Sequence, residues 1–338
     1  FEERSLVKVD GEDPITRRRL RGAESSADFA SVTYEYIRLK APGWRSPKSA
    51  AQWTSSLETY AFPVLGRLPV SAVTIDHVLA VLKPIWVEKT ETASRVRQRL
   101  EAILSFAIAT ERRTAENAAQ WQGRIEHVLP APTKVTQVKH HAALDWREAP
   151  RLWPHINAAS GQSARAVAFL YLTAARSSEV RFAQFSEFDL DEGLWSLPGD
   201  RMKNGKPHRV PLSDQALEII SRQANTAAND WEITNSKAQP LSDTALAKVL
   251  KAYPQKTTIH GLRSTFRDWA GEATSHPREI IEMALAHSTH SATEAAYARS
   301  DMLLKRRRLM EDWAQFLTAP GREIEDLIEI RADRKEWL

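Results

Sequence analysis

No cysteine occurs among the 338 residues, which excludes disulfides and thiolate metal sites and suits a reducing compartment. Long apolar runs are missing too. The longest, AVAFLYLTAA from Ala166 to Ala175, falls far short of the roughly 20 residues that a membrane-spanning helix needs. No secretory signal opens the chain, and no repeat or low-complexity tract interrupts it. A cytoplasmic protein with no membrane partner is therefore expected. Charge of one sign is hardly in excess: Lys plus Arg (47) exceed Asp plus Glu (43) by four, and the sequence pI is about 9.2. So small a surplus permits a polyanionic partner without demanding one, because affinity depends on where the cations sit. The first residue is Phe rather than Met, so the natural N-terminus is expected upstream.

What is present is an ordinary globular composition, 42 % hydrophobic and 27 % charged, in a chain long enough for two domains. Residues 1–27 are polar, with RRRLR (Arg17 to Arg21) after a GEDP turn, and read as a linker or the remnant of an N-terminal region. Four helical patterns follow: DFASVTYEYIRLKA, SPKSAAQWTSSLETYAFPVLG, TIDHVLAVLKPIW and TETASRVRQRLEAILSFAIATER. The second opens on Ser46-Pro47, an N-cap followed by Pro at the first helical position. In the fourth, Ala93, Val96, Leu100, Ile103, Leu104 and Phe106 are expected inward, with Arg95, Arg97 and Arg99 around the outer faces. Residues 28–129 thus form an all-α bundle.

Residues 130–141 carry two prolines and little periodicity, and mark the boundary. From residue 142 two more helical patterns lead into FDLDEGLWSLPGDRMKNGKPHRVPLS (Phe188 to Ser213), whose short apolar runs predict a small antiparallel sheet with a hairpin at Asn204-Gly205. Helices then resume. The fold class is mainly α: a helical bundle joined to a mainly helical domain, 142–338, with one small sheet.

TTIHGLRSTFRDWAGEA (Thr257 to Ala273) repeats Leu262, Phe266, Trp269 and Ala270 at helical steps, which puts His260 and Arg263 on one neighbouring face. Such a pair is ordinarily solvated, or it grips a phosphate. In TAARSSEV, Arg176 with Glu179 three residues on is ordinarily a pair closing a helix junction, or a guanidinium aimed at a phosphate. Lys203 beside the Asn-Gly turn is ordinarily a solubilising lysine, His287 a helix end, and Tyr297 a packing residue. Ser300 looks like the N-cap of a long final helix, and Lys305 to Arg308 read as its solvated face. The eleven tryptophans are expected in packing. His140 and His141 have no accompanying ligand cluster, so they read as linker residues and no metal site is expected. Together the two arginines, two histidines, lysine and tyrosine are what phosphoryl transfer to a tyrosine nucleophile requires.

In TAARSSEVRFA, RMKNGKPHRVPLS, IHGLRSTFRDWA, LAHS and AAYARSDMLLKRRRLMEDWA, taken in that order, the chain resembles the tyrosine recombinases, in particular the integrases of phages and genomic islands. The resemblance implies a site-specific recombinase that integrates or excises a mobile element. Residues 28–129 would be its core-binding, SAM-like DNA-binding domain. By the same likeness Tyr297 attacks a DNA phosphodiester to give a 3′-phosphotyrosine and a free 5′-hydroxyl. Arg176 and Arg263 hold the phosphate, Lys203 is the general acid, His260 a base or hydrogen-bond donor, and His287 a phosphate contact. Glu179 supports from behind. Lys206 rivals Lys203 and His290 rivals His287, with the motif context favouring Lys203 and His287. No cofactor, ATP or metal is implied. Double-stranded DNA at attachment sites is the implied partner, bound by a homotetramer in synapsis at the nucleoid, with an accessory DNA-bending or directionality factor as a further candidate. Lys48, Gln52, Arg95, Arg97 and Arg99 are candidate DNA contacts. The amphipathic 321–338 is a candidate for packing on a neighbouring protomer. Two alternatives stay open: strand relaxation of the type IB topoisomerase kind, and a catalytically inactive DNA-binding relative.

Overall fold

The computed structural model describes residues 27–44, 46, 48–136, 142–224, 239–287 and 300–319. The chain divides into two compact units, Phe1–Lys139 and His140–Leu338, each with its own hydrophobic core.

In the first unit α1 (Phe29–Lys40) starts at Asp28, whose carboxylate accepts a hydrogen bond from Ser31 N at 2.7 Å. Helices α2 (Lys48–Tyr60), α3 (Phe62–Leu65) and α4 (Ile75–Trp86) follow. Thr74 and His77 cap α4 reciprocally, each side chain bonding the other's main-chain N–H. Helix α5 (Thr90–Ala109) buries Ala93, Val96, Leu100, Ile103 and Leu104 completely, as their spacing predicts, whereas Phe106 is only partly covered. The stretch read as a linker from residue 130 does not leave the bundle there. Trp86 Nε1 donates to Pro130 O at 2.9 Å, the Thr90 and Thr136 hydroxyls meet at 2.7 Å, and Val135 of the short helix α6 (Pro132–Val135) packs on the core.

In the second unit α7 (Ala149–Ala158) and α8 (Gln162–Thr173) pack together, and α8 is buried all round from Ala166 to Thr173. That burial is why its sequence is apolar on every face. After α9 (Ser177–Arg181), strands β1 (Phe188–Asp189), β2 (Leu194–Leu197) and β3 (His208–Pro211) form the expected antiparallel sheet, with Trp195 opposite Val210 and Leu197 opposite His208. The tight hairpin at Asn204-Gly205 is not formed. Ten residues, 198–207, join β2 to β3 through a 3₁₀ turn at Gly199–Arg201, and Gly205 (φ 74°) closes a separate turn onto Met202 O.

Helices α10 (Asp214–Ala224), α11 (Asp243–Lys251), α12 (Ile259–Ala273), α13 (Arg278–Ala284) and α14 (Leu303–Thr318) complete the unit. The last begins at Met302 rather than at Ser300, whose hydroxyl instead accepts from Met302 N at 3.1 Å. Leu262, Phe266, Trp269 and Ala270 form the expected inward stripe of α12. Trp313 of α14 packs against it, tilted on Trp269, and donates its Nε1–H to Tyr171 O of α8 at 2.8 Å. Thr258 caps α12 while its main-chain N and its hydroxyl both bond Ala142 O, so the extended entry segment lies directly against the first helical turn. Among the described residues no helix is long and apolar enough to cross a membrane.

Candidate functional site

Where α8 ends, Ala174 turns the chain in the left-handed region (φ 49°), an uncommon conformation outside glycine. Two residues later Arg176 stands at the N-cap of α9. Glu179, 4 % exposed, accepts from Arg176 Nη1 and from its main-chain N, both at 2.7 Å. The carboxylate thereby fixes the start of α9 and the direction of the guanidinium together. From α12, Arg263 reaches the same place, donating to Ala174 O and, at 2.8 Å, to Leu285 O. Arg176 Nη2 approaches Leu285 O and Ala286 O at 3.4 Å. One main-chain oxygen at the end of α13 therefore holds both arginines. Burial first, then repulsion from Arg176, pushes the Arg263 guanidinium down to about 10, with Glu179 acting in the opposite direction.

Both arginines line a cleft of about 480 Å³ with Ser177, Asp243, Thr258 and His260. His260 is exposed on the first turn of α12, so the expected His–Arg pairing on one face holds, but with the arginine buried and the imidazole at the rim. His287 lies two residues beyond the shared Leu285 carbonyl. It does not cap carbonyls with its ring; its Nδ1 meets Glu282 Oε2 at 2.6 Å. Lys203 and Lys206 are both exposed on the β2–β3 connection, and neither lines the cleft. Tyr297, its segment and His290 lie outside the described residues, as do His140, His141 and residues 1–26 and 321–338.

Sequence reasoning missed several groups around this centre. His208 of β3 donates to the Ala284 carbonyl, next along α13 from Leu285. Burial first, and then Arg306, pushes its imidazole down to about 4, so it is neutral in the fold. Arg306 belongs to the basic run read as a solvated face, yet it is 1 % exposed. It bonds the Asp301 carbonyl at 2.7 Å, the Asp301 carboxylate at 2.9 Å and Arg209 O. Arg307 bonds Glu192 O at 2.9 Å, and only Lys305 and Arg308 of the run are exposed. A buried neutral histidine has a stability consequence. Its folded pKa is depressed, so its contribution is present above about pH 6.5 and is lost as pH falls toward 4. The urea midpoint of the second unit is expected to drop between pH 7 and pH 5 by more in the wild type than in His208→Asn; equal drops would exclude His208 as the titrating group.

The expected DNA-facing residues of the first unit divide. Lys48 and Gln52 are exposed on α2, and Arg95 is exposed but paired with Glu91 at 2.8 Å. Arg97 is not on an outer face. It is 8 % exposed, donates to Ala119 O at 2.9 Å and Glu101 at 2.5 Å, and lies 5.6 Å over the Trp121 ring. The chain after α5 folds back over that position and turns the guanidinium into a packing group. Arg99 is half-buried, bonding Gln52 O at 2.9 Å and lying 5.4 Å over Trp53, so it too holds α5 to α2.

Two family models match the chain: the phage integrase central domain over residues 29–124, and the phage integrase family over residues 143–303. Prophage integrase IntZ of Escherichia coli (strain K12) is 30 % identical over 322 residues, spanning 93 % of this chain and 77 % of its own length. The integrase of Enterobacteria phage P4 is 29 % identical over 348 residues, with 94 % and 75 % covered. Among solved structures, a lambda integrase dimer bound to a COC′ core site superposes with a TM-score of 0.62 at 18 % identity, over 88 % of this chain and 83 % of that one. A lambda integrase tetramer bound to a Holliday junction gives 0.63 at 16 % identity, over 85 % of each. At such identities these two likenesses speak for the fold, mainly helical with one small antiparallel sheet. With the family matches and the sequence relatives, they make the chain a member of the phage integrase family, a tyrosine site-specific recombinase that breaks and rejoins DNA.

Proposed function

We propose that the arginine cleft is the phosphate site and that the reaction runs through Tyr297. The observation that supports this most directly is the pair of guanidiniums, Arg176 and Arg263, held at one carbonyl and opening with His260 onto one cleft. Two fixed cations neutralise the two non-bridging oxygens of a phosphodiester as it becomes pentacoordinate, and their anchors spare reorganisation at that moment. Tyr297 Oη attacks phosphorus, His260 accepts the phenolic proton, and the bond to the 5′ oxygen breaks. Lys203, extended on the β2–β3 connection, supplies the proton that makes the leaving group a 5′-hydroxyl. His287 donates to a phosphate oxygen. The 3′-phosphotyrosine conserves the bond, so a 5′-hydroxyl from a partner duplex reverses the attack and the strands are exchanged.

Attachment-site DNA is the substrate, and phosphate contacts supply most of the affinity. Lys48, Gln52 and Arg95 are proposed contacts of the first unit; Arg97 and Arg99 are assigned to packing instead. A homotetramer on two duplexes, acting at the nucleoid and with an accessory bending or directionality factor in excision, completes the proposal. The tetramer draws support from the lambda integrase assembly on a Holliday junction.

The test uses a nicked suicide duplex whose core is selected from a randomised library as the sequence most readily joined to the protein. After incubation in EDTA, the SDS-resistant adduct is digested and the modified residue located by mass spectrometry. A nucleotide on Tyr297 is the expected result. Attachment at another residue, or no adduct with gel-shift binding intact, would overturn it, the latter pointing to a binding-only relative. Relaxation of supercoiled plasmid without exchange products would instead indicate topoisomerase-like chemistry.

A further inference from the structure

One buried carboxylate close to the cleft has no role in the reaction described so far. Glu282 of α13 is 7 % exposed. Its Oε1 accepts from Arg267 Nε and Nη2, each at 2.8 Å, and its Oε2 accepts from His287 Nδ1 at 2.6 Å. Its main-chain carbonyl also accepts His287 N at 3.0 Å, so Glu282 holds His287 by ring and by backbone. Arg267 lies one helical turn beyond Arg263 on α12, so that helix supplies both a phosphate ligand and the anchor of this carboxylate.

We propose that Glu282 is a positioning residue for recombination: held by Arg267, it accepts a hydrogen bond from Nδ1–H of the His287 imidazolium and so presents its Nε2–H to the scissile phosphate. This inference rests on the phosphate contact assigned to His287 above. Burial alone would raise the Glu282 carboxyl, but the hydrogen bonds from His287 and Arg267 outweigh it and hold the group below its usual range. An ionised carboxylate only accepts, which makes Nδ1 the donor and settles the orientation of the ring. The nearby guanidiniums are already committed to the carbonyls that follow: Arg263 and Arg176 to Leu285, and Arg176 to Ala286. Glu282 is the negative group that bonds the imidazole, and no proton has to leave it during the reaction.

A structural anchor and a positioning residue differ in what their loss couples to. Single-turnover cleavage of the suicide duplex is measured for wild type, Glu282→Gln, His287→Gln and the double variant, with DNA Kd by gel shift and the thermal melt of each. Glu282→Gln is expected to slow cleavage about tenfold with Kd unchanged, by analogy with the loss of a carboxylate that orients a metal-bound histidine. The double variant is expected to be no slower than His287→Gln alone. The same tenfold loss in the His287→Gln background, or wild-type cleavage by Glu282→Gln, would overturn the inference. If Glu282→Gln loses its cooperative melt, the half-exposed Arg267→Gln weakens the same anchor and must show the same non-additivity. Wild-type cleavage by His287→Gln would be a different failure: it would remove the role given to His287, and the inference with it.

Discussion

Arg263→Met is expected to slow strand cleavage by at least about a thousandfold while leaving the second unit folded. Loss of a single preorganised donor at a developing oxyanion costs roughly 10²–10³ in rate, and in the proposed site Arg263 would supply two donors and a full charge. Its effect on stability is a balance of opposing terms. The native site buries this guanidinium at 6 % exposure beside Arg176, and both burial and that neighbour disfavour its charge. Removing it relieves both. Against that, Ala174 O loses a donor, while Leu285 O keeps Arg176. An unsatisfied carbonyl costs about 1–3 kcal/mol, so the net loss should stay below about 3 kcal/mol. Arg263→Lys keeps the charge but not the fork, and should recover little activity. Suicide-substrate cleavage and urea melts measure the two quantities separately. Cleavage within tenfold of wild type in the Met variant would remove Arg263 from the site.

Gly261→Ala should have the largest effect on stability. A Cβ there would stand 2.8 Å from the Ala142 carbonyl carbon and 3.0 Å from Ala143 Cα, and nearer still to the Ala142 oxygen. The obstacle is main chain, and it cannot step aside, because Thr258 bonds that same oxygen twice and Thr265 bonds Leu144 O at 2.8 Å. Overpacking of a rigid site costs about 1–3 kcal/mol and more where backbone must move, so a loss of about 3 kcal/mol or more is expected. The turn that would shift carries His260 and Arg263, so cleavage should fall with stability. Gly271 on the same helix has nothing within 4 Å of its would-be Cβ; Gly271→Ala should gain up to about 1 kcal/mol from helix propensity. Urea midpoints of the two variants decide this, and a wild-type midpoint for Gly261→Ala would show that the entry segment yields.

The helices were legible because their apolar residues recur at 3.6-residue steps, and α5 and α12 bury the side chains that this spacing selects. Arg176, Glu179 and Arg263 were legible as a set through their motifs and order. Arg97 was not, since a basic residue on an amphipathic helix reads the same whether water or Trp121 covers it, and that tryptophan comes from beyond the helix. The β2–β3 connection was misjudged because Asn-Gly signals a turn but not which turn of a ten-residue connection it closes. Glu282 carried no signal either. It stands five positions before His287, a spacing that faces no pair on a regular helix. They meet only because α13 stops and Ala286 swings the chain into the left-handed region (φ 50°).

The Leu285 oxygen that both arginines share belongs to the main chain, so the placing of the two cations depends on the length of α13 as well as on the Glu179 side chain. One residue inserted into that helix would rotate the oxygen by about 100° around the axis and carry it off by about 1.5 Å, with both arginines still encoded. The arginine pair is in this sense set by a ruler: it tolerates changes of spelling along α13 that preserve the helix, and it does not tolerate a change of count.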